Sequence, residues 1–152
     1  RKIDQIKTIV PEATITTDLI VGFPGETERD FEDSLDILSR VEFDKVHVAA
    51  YSERKGTFAF RQIDDDITME QKRIRLNTVN QLQDKIQKKL NSKYLNKEFD
   101  ILVEGKNRDM YFGRTEGDKL VYLKDLDEKF IGKIINTIIT DYSPYSLNAE
   151  KI

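Results

Sequence analysis

The stretch that most restricts how this chain folds is Thr16-Thr17-Asp18-Leu19-Ile20-Val21-Gly22-Phe23-Pro24-Gly25-Glu26-Thr27-Glu28. Leu19-Ile20-Val21 is an apolar run of the kind found in a strand buried on both faces. Gly22-Phe23-Pro24-Gly25 breaks it with residues that strand and helix interiors tolerate poorly. Thr27 then offers a helix N-cap, with Asp30 as its capping-box partner and Glu28 favourable in the first turn. Strand, glycine–proline turn and helix start together make a ligand-binding edge of a parallel α/β sheet, where ligands sit beyond the carboxyl ends of the strands. Glycines there let backbone approach a ligand, and helix N-terminal amides can meet its polar groups.

The flanking sequence extends this unit. Ile3, Ile6, Ile9 and Val10 have helical spacing and stop at Pro11. A strand is predicted over residues 13–21, then a helix to about Arg40 with Phe31, Leu35 and Leu38 inward, then a second strand over 43–51. Residues 13–51 therefore read as a β-turn-α-β unit with parallel strands and a right-handed crossover. Ser52-Glu53-Arg54-Lys55-Gly56-Thr57 leaves the second strand at the same sheet end as Gly22–Glu26, so the two loops form one wall of a shared site. Residues 58–67 read as irregular and end in the acidic run Asp64-Asp65-Asp66. Thr68 and Gln71 then form a capping box for a long helix to about Ser92, with an apolar stripe of Ile74, Val79, Leu82, Ile86 and Leu90.

Near Lys93 the period changes. Glu98–Glu104, Met110–Arg114, Lys119–Leu123, Ile131–Asp141 and Tyr145–Leu147 read as five short strands of a small antiparallel barrel. Two domains are predicted, 1–92 and 93–152. Two parallel strands alone leave open sheet edges. The chain also begins at Arg1, inside a helical pattern, so it is expected to be a piece of a longer protein with further strands ahead of it.

Composition narrows the chemistry. There is no cysteine and a single histidine, His47, so neither a cysteine nor a histidine-rich metal site is expected. No apolar run approaches membrane-span length and no secretory signal is visible, which points to a cytoplasmic protein without membrane contact. Asp18 at the strand end and Glu26 in the turn suit ribose hydroxyls or an amino group, or equally bonds to local backbone and the helix N-terminus. Arg54 and Lys55 beside Gly56 suit an anion, or form a solvated loop. The turn has neither the P-loop nor the dinucleotide-binding glycine pattern. In the barrel, Tyr111, Phe112, Arg114, Lys119 and Tyr122 combine aromatic faces with cations, a mix that stacks unpaired bases and grips phosphates. Residues 93–152 carry ten Lys and Arg against eleven Asp and Glu, so any basic surface is a local patch. A plain barrel remains the other reading.

Taken together, Thr17 to Thr27 and Tyr51 to Thr57 closely resemble the last third of the catalytic domain of radical S-adenosylmethionine methylthiotransferases. Gly113-Arg114-Thr115, Lys119-Leu120-Val121 and Tyr145-Ser146-Leu147-Asn148 resemble the TRAM domain of that family, and in particular its tRNA isopentenyladenosine branch. The resemblance implies an α/β fold: the C-terminal part of a partial (β/α) radical barrel, followed by a small OB-like TRAM barrel. It implies a parent enzyme that methylthiolates isopentenyladenosine beside the anticodon, using S-adenosylmethionine, two 4Fe-4S clusters and a flavodoxin- or ferredoxin-like reductant. The partner implied is a tRNA anticodon stem-loop. The alternatives are a ribosomal-protein aspartate or threonylcarbamoyladenosine substrate, or an RNA-binding module without chemistry.

The family's fifth-strand pattern Gly-x-Ile-x-Gly-x-x-Glu appears loosely. Asp18 replaces the first glycine, Ile20 and Gly22 fit, and Glu26 comes one place late. With Tyr51 and Arg54 these are the residues that the resemblance assigns to the cofactor's adenosyl part. Tyr111, Phe112, Arg114 and Lys119 are assigned to RNA. Glu53 stands where many relatives have proline. Without cysteine this chain holds no cluster, contains no catalytic residue of its own and is expected to be inactive alone.

Overall fold

The computed structural model describes residues 2–11 and 13–152. They form two compact units: Ile15–Ile86, and the residues up to Thr14 together with Gln87–Ile152.

In the first unit β1 (Thr16–Val21) and β2 (Lys45–Ala50) pair in parallel, with Thr16 opposite Lys45 and Val21 opposite Ala50. The crossover is α2 (Glu28–Val41). Its capping box forms as the sequence predicts: Asp30 N–H donates to Thr27 Oγ1 at 3.2 Å, and Thr27 N–H donates to the Asp30 carboxylate at 3.0 Å. α2 ends at Glu42, a left-handed residue whose N–H bonds Leu38 O. The segment read as irregular contains a short helix, α3 (Phe58–Gln62), started by Thr57, whose hydroxyl accepts Phe60 N–H at 3.2 Å. Five residues are too few to display a helical period, which is why the sequence showed no helix there. The Thr68–Gln71 capping box opens α4 (Met69–Ser92).

Burial alternates along both strands. Val21 and Val46 are buried, as are Phe31, Leu38, Phe43, Val79 and Ile86. Thr16, Asp18 and Ile20 on β1, and Lys45, His47 and Ala49 on β2, are exposed. The expectation of a strand buried on both faces is therefore corrected, since Ile20 is 54% exposed. Within this unit the sheet has two strands and its apolar core lies on one side only.

The expected stripe on α4 is also corrected. Val79 and Ile86 are buried, but Ile74 is 55% exposed. Lys72 and Arg75 are buried instead, at 1% and 5% exposure, and continue toward Val79, Gln83 and Ile86 at helical spacing. A hydropathy pattern scores both cations as outward, yet their apolar stems can be buried if the heads find carboxylates.

In the second unit, α1 (Lys2–Ile9) has no buried residue, and Ile6, Ile9 and Val10 stay exposed. The strands are β3 (Glu98–Asn107), β4 (Met110–Arg114), β5 (Leu120–Leu123), β6 (Ile134–Tyr142) and β7 (Leu147–Lys151). They close into a barrel in the order β3-β4-β5-β7-β6. The antiparallel expectation fails at one junction: β5 and β7 run parallel, with Val121 opposite Leu147 and Leu123 opposite Ala149. An odd number of strands cannot alternate direction around a closed ring, so one parallel junction is unavoidable.

Strand boundaries also move: β3 runs on to Asn107 and the last strand to Lys151. Residues 128–130 form a 3-10 turn and β6 starts at Ile134. Tyr145 lies in a turn where Ser143 Oγ accepts Tyr145 N–H and Ser146 N–H, so the last strand starts at Leu147. Ile101, Val103, Tyr111, Val121, Leu123, Ile135, Ile139 and Leu147 fill the barrel. Strand alternation puts Gly113 at an inward position on β4, where a β-carbon would overlap the Leu102 carbonyl and only glycine fits. Among the described residues no helix is long and apolar enough to cross a membrane.

Candidate functional site

The β1–α2 turn is built around Gly22. Its φ of 68° lies in the left-handed region, and a β-carbon there would overlap Cγ of Lys72. Tyr51 N–H donates to Val21 O at 2.8 Å, tying the exit of β2 to the end of β1. The Glu26 carboxylate folds back over the turn and accepts Gly22 N–H at 2.6 Å and Arg75 Nη1 at 2.5 Å. Arg75 also donates to Glu26 O at 3.1 Å and reaches Glu28 at 3.1 Å. Its guanidinium lies 5.3 Å from the Phe31 ring centroid.

The acidic run straps this turn to α4. Asp66 accepts Gly25 N–H at 2.8 Å, and Asp65 pairs with Lys72. Lys72 Nζ lies 5.1 Å from the centre of the Tyr51 ring, which meets Phe23 edge-on at 5.0 Å. Sequence reasoning missed Lys72, Arg75, Asp65 and Asp66. The available signal was the match between cations early in α4 and acids just before it, which apolar periodicity ignores.

Beside this scaffold is a hollow of about 270 Å³ lined by Ile20, Phe23, Ala49, Tyr51, Arg54, Thr57 and their neighbours. Of the six residues assigned to the cofactor, Ile20, Tyr51 and Arg54 line it. Gly22 is buried against Lys72. The Glu26 side chain is 11% exposed and braces the turn through its bonds to Gly22 and Arg75. Asp18 is on the open sheet face, opposite His47, and does not line the hollow. An apolar wall with two aromatic rings and a single cation suits a nucleoside better than a polyphosphate, whose several charges one Arg54 would leave mostly uncompensated. The chain does not fit an iron–sulfur cluster: it has no cysteine, and no group of three His, Cys, Asp or Glu among the described residues is placed to hold a metal.

On the barrel, strand alternation divides the four residues assigned to RNA. Tyr111 is 7% exposed and belongs to the core, with Lys106 Nζ 5.0 Å from its ring centroid. Its assignment as a stacking surface is therefore corrected. Two adjacent aromatics leave the inward one undetermined in sequence, and a one-residue shift exchanges them. Phe112 is half-buried on the other side of β4, opposite Tyr122 on β5 and Gly105 on β3, while Asn148 on β7 lies opposite Tyr122. Arg114 shares the parity of Phe112 and bonds the Asp118 carboxylate at 2.8 Å and Glu104 at 3.4 Å. Lys119 is half-buried, and its N–H donates to Thr115 Oγ1 at 3.1 Å. The structure thus brings Phe112, Tyr122 and Arg114 to one outer strip.

Residues 92–152 match the TRAM domain. The chain is 42% identical to the tRNA-2-methylthio-N(6)-dimethylallyladenosine synthase of Acetivibrio thermocellus, over 96% of this chain and 31% of that protein. It is 41% identical to the protein of that name from Caldicellulosiruptor saccharolyticus, over 100% of this chain and 32% of that one. The Dehalococcoides mccartyi protein of that name is 39% identical, over 99% of this chain and 36% of its own length. The chain spans about a third of the length of these relatives. Over nearly its whole length the chain is thus similar to one part of these synthases, with the TRAM match over residues 92–152.

Proposed function

We propose that this chain is the C-terminal part of a cytoplasmic enzyme that methylthiolates isopentenyladenosine beside the anticodon of tRNA. The observation that carries the reading is identity of about 40% across nearly all of the chain to proteins named for that product. Residues 1–92 complete the radical barrel and residues 93–152 hold the anticodon stem-loop. Because the relatives are named for dimethylallyladenosine, the ribosomal-protein and threonylcarbamoyladenosine alternatives have less support.

S-adenosylmethionine, when bound and reductively cleaved, supplies the radical that takes hydrogen from the base. The cysteines for its two clusters, and the docking site for a flavodoxin- or ferredoxin-like reductant, belong to the rest of the protein. This chain's own residues orient the cofactor. Ile20 and Tyr51 give the adenosyl group an apolar, aromatic wall, and Arg54 offers a cation at its rim. Glu26 and Arg75 hold the turn in one shape, so that Gly22 presents backbone at the sheet edge. In this reading the bare face bearing Asp18, Ile20, His47 and Ala49 lines the interior of the radical barrel that the rest of the protein completes.

Mass spectrometry of tRNA nucleosides from a strain lacking the gene tests the reading. The methylthio form of isopentenyladenosine should vanish while isopentenyladenosine accumulates. Unchanged methylthiolation overturns it.

A further inference from the structure

Three lysine heads converge on one aromatic ring of the barrel. The Nζ atoms of Lys129, Lys133 and Lys151 lie 5.3, 5.9 and 5.6 Å from the centroid of Phe130. They come from separate places in sequence: the 3-10 turn, the turn before β6, and the end of β7. Backbone fixes each position. Lys133 N–H donates to Phe130 O at 3.0 Å, Val103 N–H donates to Lys133 O at 2.9 Å, and Lys151 lies opposite Thr137 in the β6–β7 ladder. The Phe130 ring packs on the barrel core, so it cannot swing away from the lysines.

The cluster is short of counter-charge. Lys129 pairs with Asp127 at 2.5 Å. Among the described residues no Asp or Glu side chain pairs with Lys133 or Lys151, and Lys151 Nζ donates to the Ile152 terminal oxygen at a long 3.4 Å. Three ammonium groups within 6 Å of one ring centroid repel one another most at low salt, where the screening length exceeds their separation. Attraction to the ring face offsets part of their mutual repulsion. A polyanion removes the rest and releases its own counterions.

We propose that Lys129, Lys133 and Lys151 around Phe130 form a phosphate-binding patch for an RNA backbone, separate from the Phe112–Tyr122 strip. This rests on the reading that the barrel holds RNA. A single small anion would engage only part of a cluster spread around a whole ring. A nucleic-acid strand brings successive phosphates, and its sugars and bases can lie on the exposed Ile131 and Ile134 of the same segment.

The test uses the whole chain, with an anticodon stem-loop RNA as probe. The double variant Lys133→Gln/Lys151→Gln is compared with Lys93→Gln/Lys97→Gln, which removes equal charge just before β3. The first should bind about tenfold more weakly at low salt and lower the salt slope by about 1 to 2. The second should change both far less, and thermal unfolding of both should match the parent. Parent-like affinity and slope in the first variant, or an equal loss in the second, overturns the patch while the barrel's RNA role stands. A parent chain that fails to bind the stem-loop at low salt overturns that role and the patch together.

Discussion

Lys72 runs its methylene stem directly beneath Gly22, so closely that a β-carbon on the glycine would overlap Lys72 Cγ and lie 3.3 Å from its Cβ and Cδ. One buried cation from the middle of the sequence therefore fixes the turn that ends β1. The same lysine is held by Asp65 and covered by Tyr51.

Gly22→Ala should consequently destabilise the chain by about 2 to 3 kcal/mol, from left-handed strain together with overpacking. Gly25 also has positive φ, at 83°, but a β-carbon on it would meet no atom within 4 Å. Gly25→Ala should cost only about 1 kcal/mol. Urea unfolding of both variants measures the difference; equal losses would mean that Lys72 yields freely.

The Lys72–Asp65 pair should respond unequally to loss of either partner. The Lys72 side chain is 2% exposed and that of Asp65 is 23% exposed. Asp65→Ala strands a buried ammonium and should cost about 3 kcal/mol. Lys72→Met keeps the stem's volume and leaves a carboxylate that water can reach, so its cost should be about 1 kcal/mol. Chemical denaturation of the two single variants checks the order, and a larger loss for Lys72→Met would contradict it.

The parts readable in the sequence were those with local signals. Thr27 with Asp30 and Thr68 with Gln71 announced two helices, and both capping boxes form. The parallel pairing of β1 and β2 followed from the strand-helix-strand order. What stayed hidden depends on partners distant in sequence. Arg75 is buried only because Glu26, 49 residues earlier, curls back to meet it. Tyr111 faces inward only because of the barrel's register, which neither aromatic of the pair specifies. The parallel β5–β7 junction follows from closure, which no single strand encodes.

Acid should reveal the first capping box. The Thr27 hydroxyl, and then its backbone N–H, hold the Asp30 carboxyl below its ordinary value of 3.8. A carboxyl depressed in the folded state contributes stability above its unfolded pKa, and that stability is lost as pH falls through the folded value. Thr27→Ala removes the hydroxyl bond, so the Asp30 carboxyl should move back toward 3.8 in an NMR titration. The helix should lose about 1 kcal/mol of capping stabilisation at neutral pH. An unmoved Asp30 titration would show that the hydroxyl bond is not made in solution.

Substitutions on β4 should separate core from interface. Tyr111 is a core residue, so Tyr111→Ala should cost the barrel about 3 to 5 kcal/mol and lower its melting temperature. Phe112 and Tyr122 stand opposite each other on the outer side of the ladder. Phe112→Ala and Tyr122→Ala should each weaken binding of an anticodon stem-loop by about 1 to 3 kcal/mol through lost stacking. Each should leave the unfolding midpoint nearer the parent's than Tyr111→Ala does. Binding isotherms and thermal melts of the three variants give the two readouts. If Tyr111→Ala weakened RNA binding with an unchanged melt, or if Phe112→Ala and Tyr122→Ala left binding intact, the outer strip would not be where bases stack.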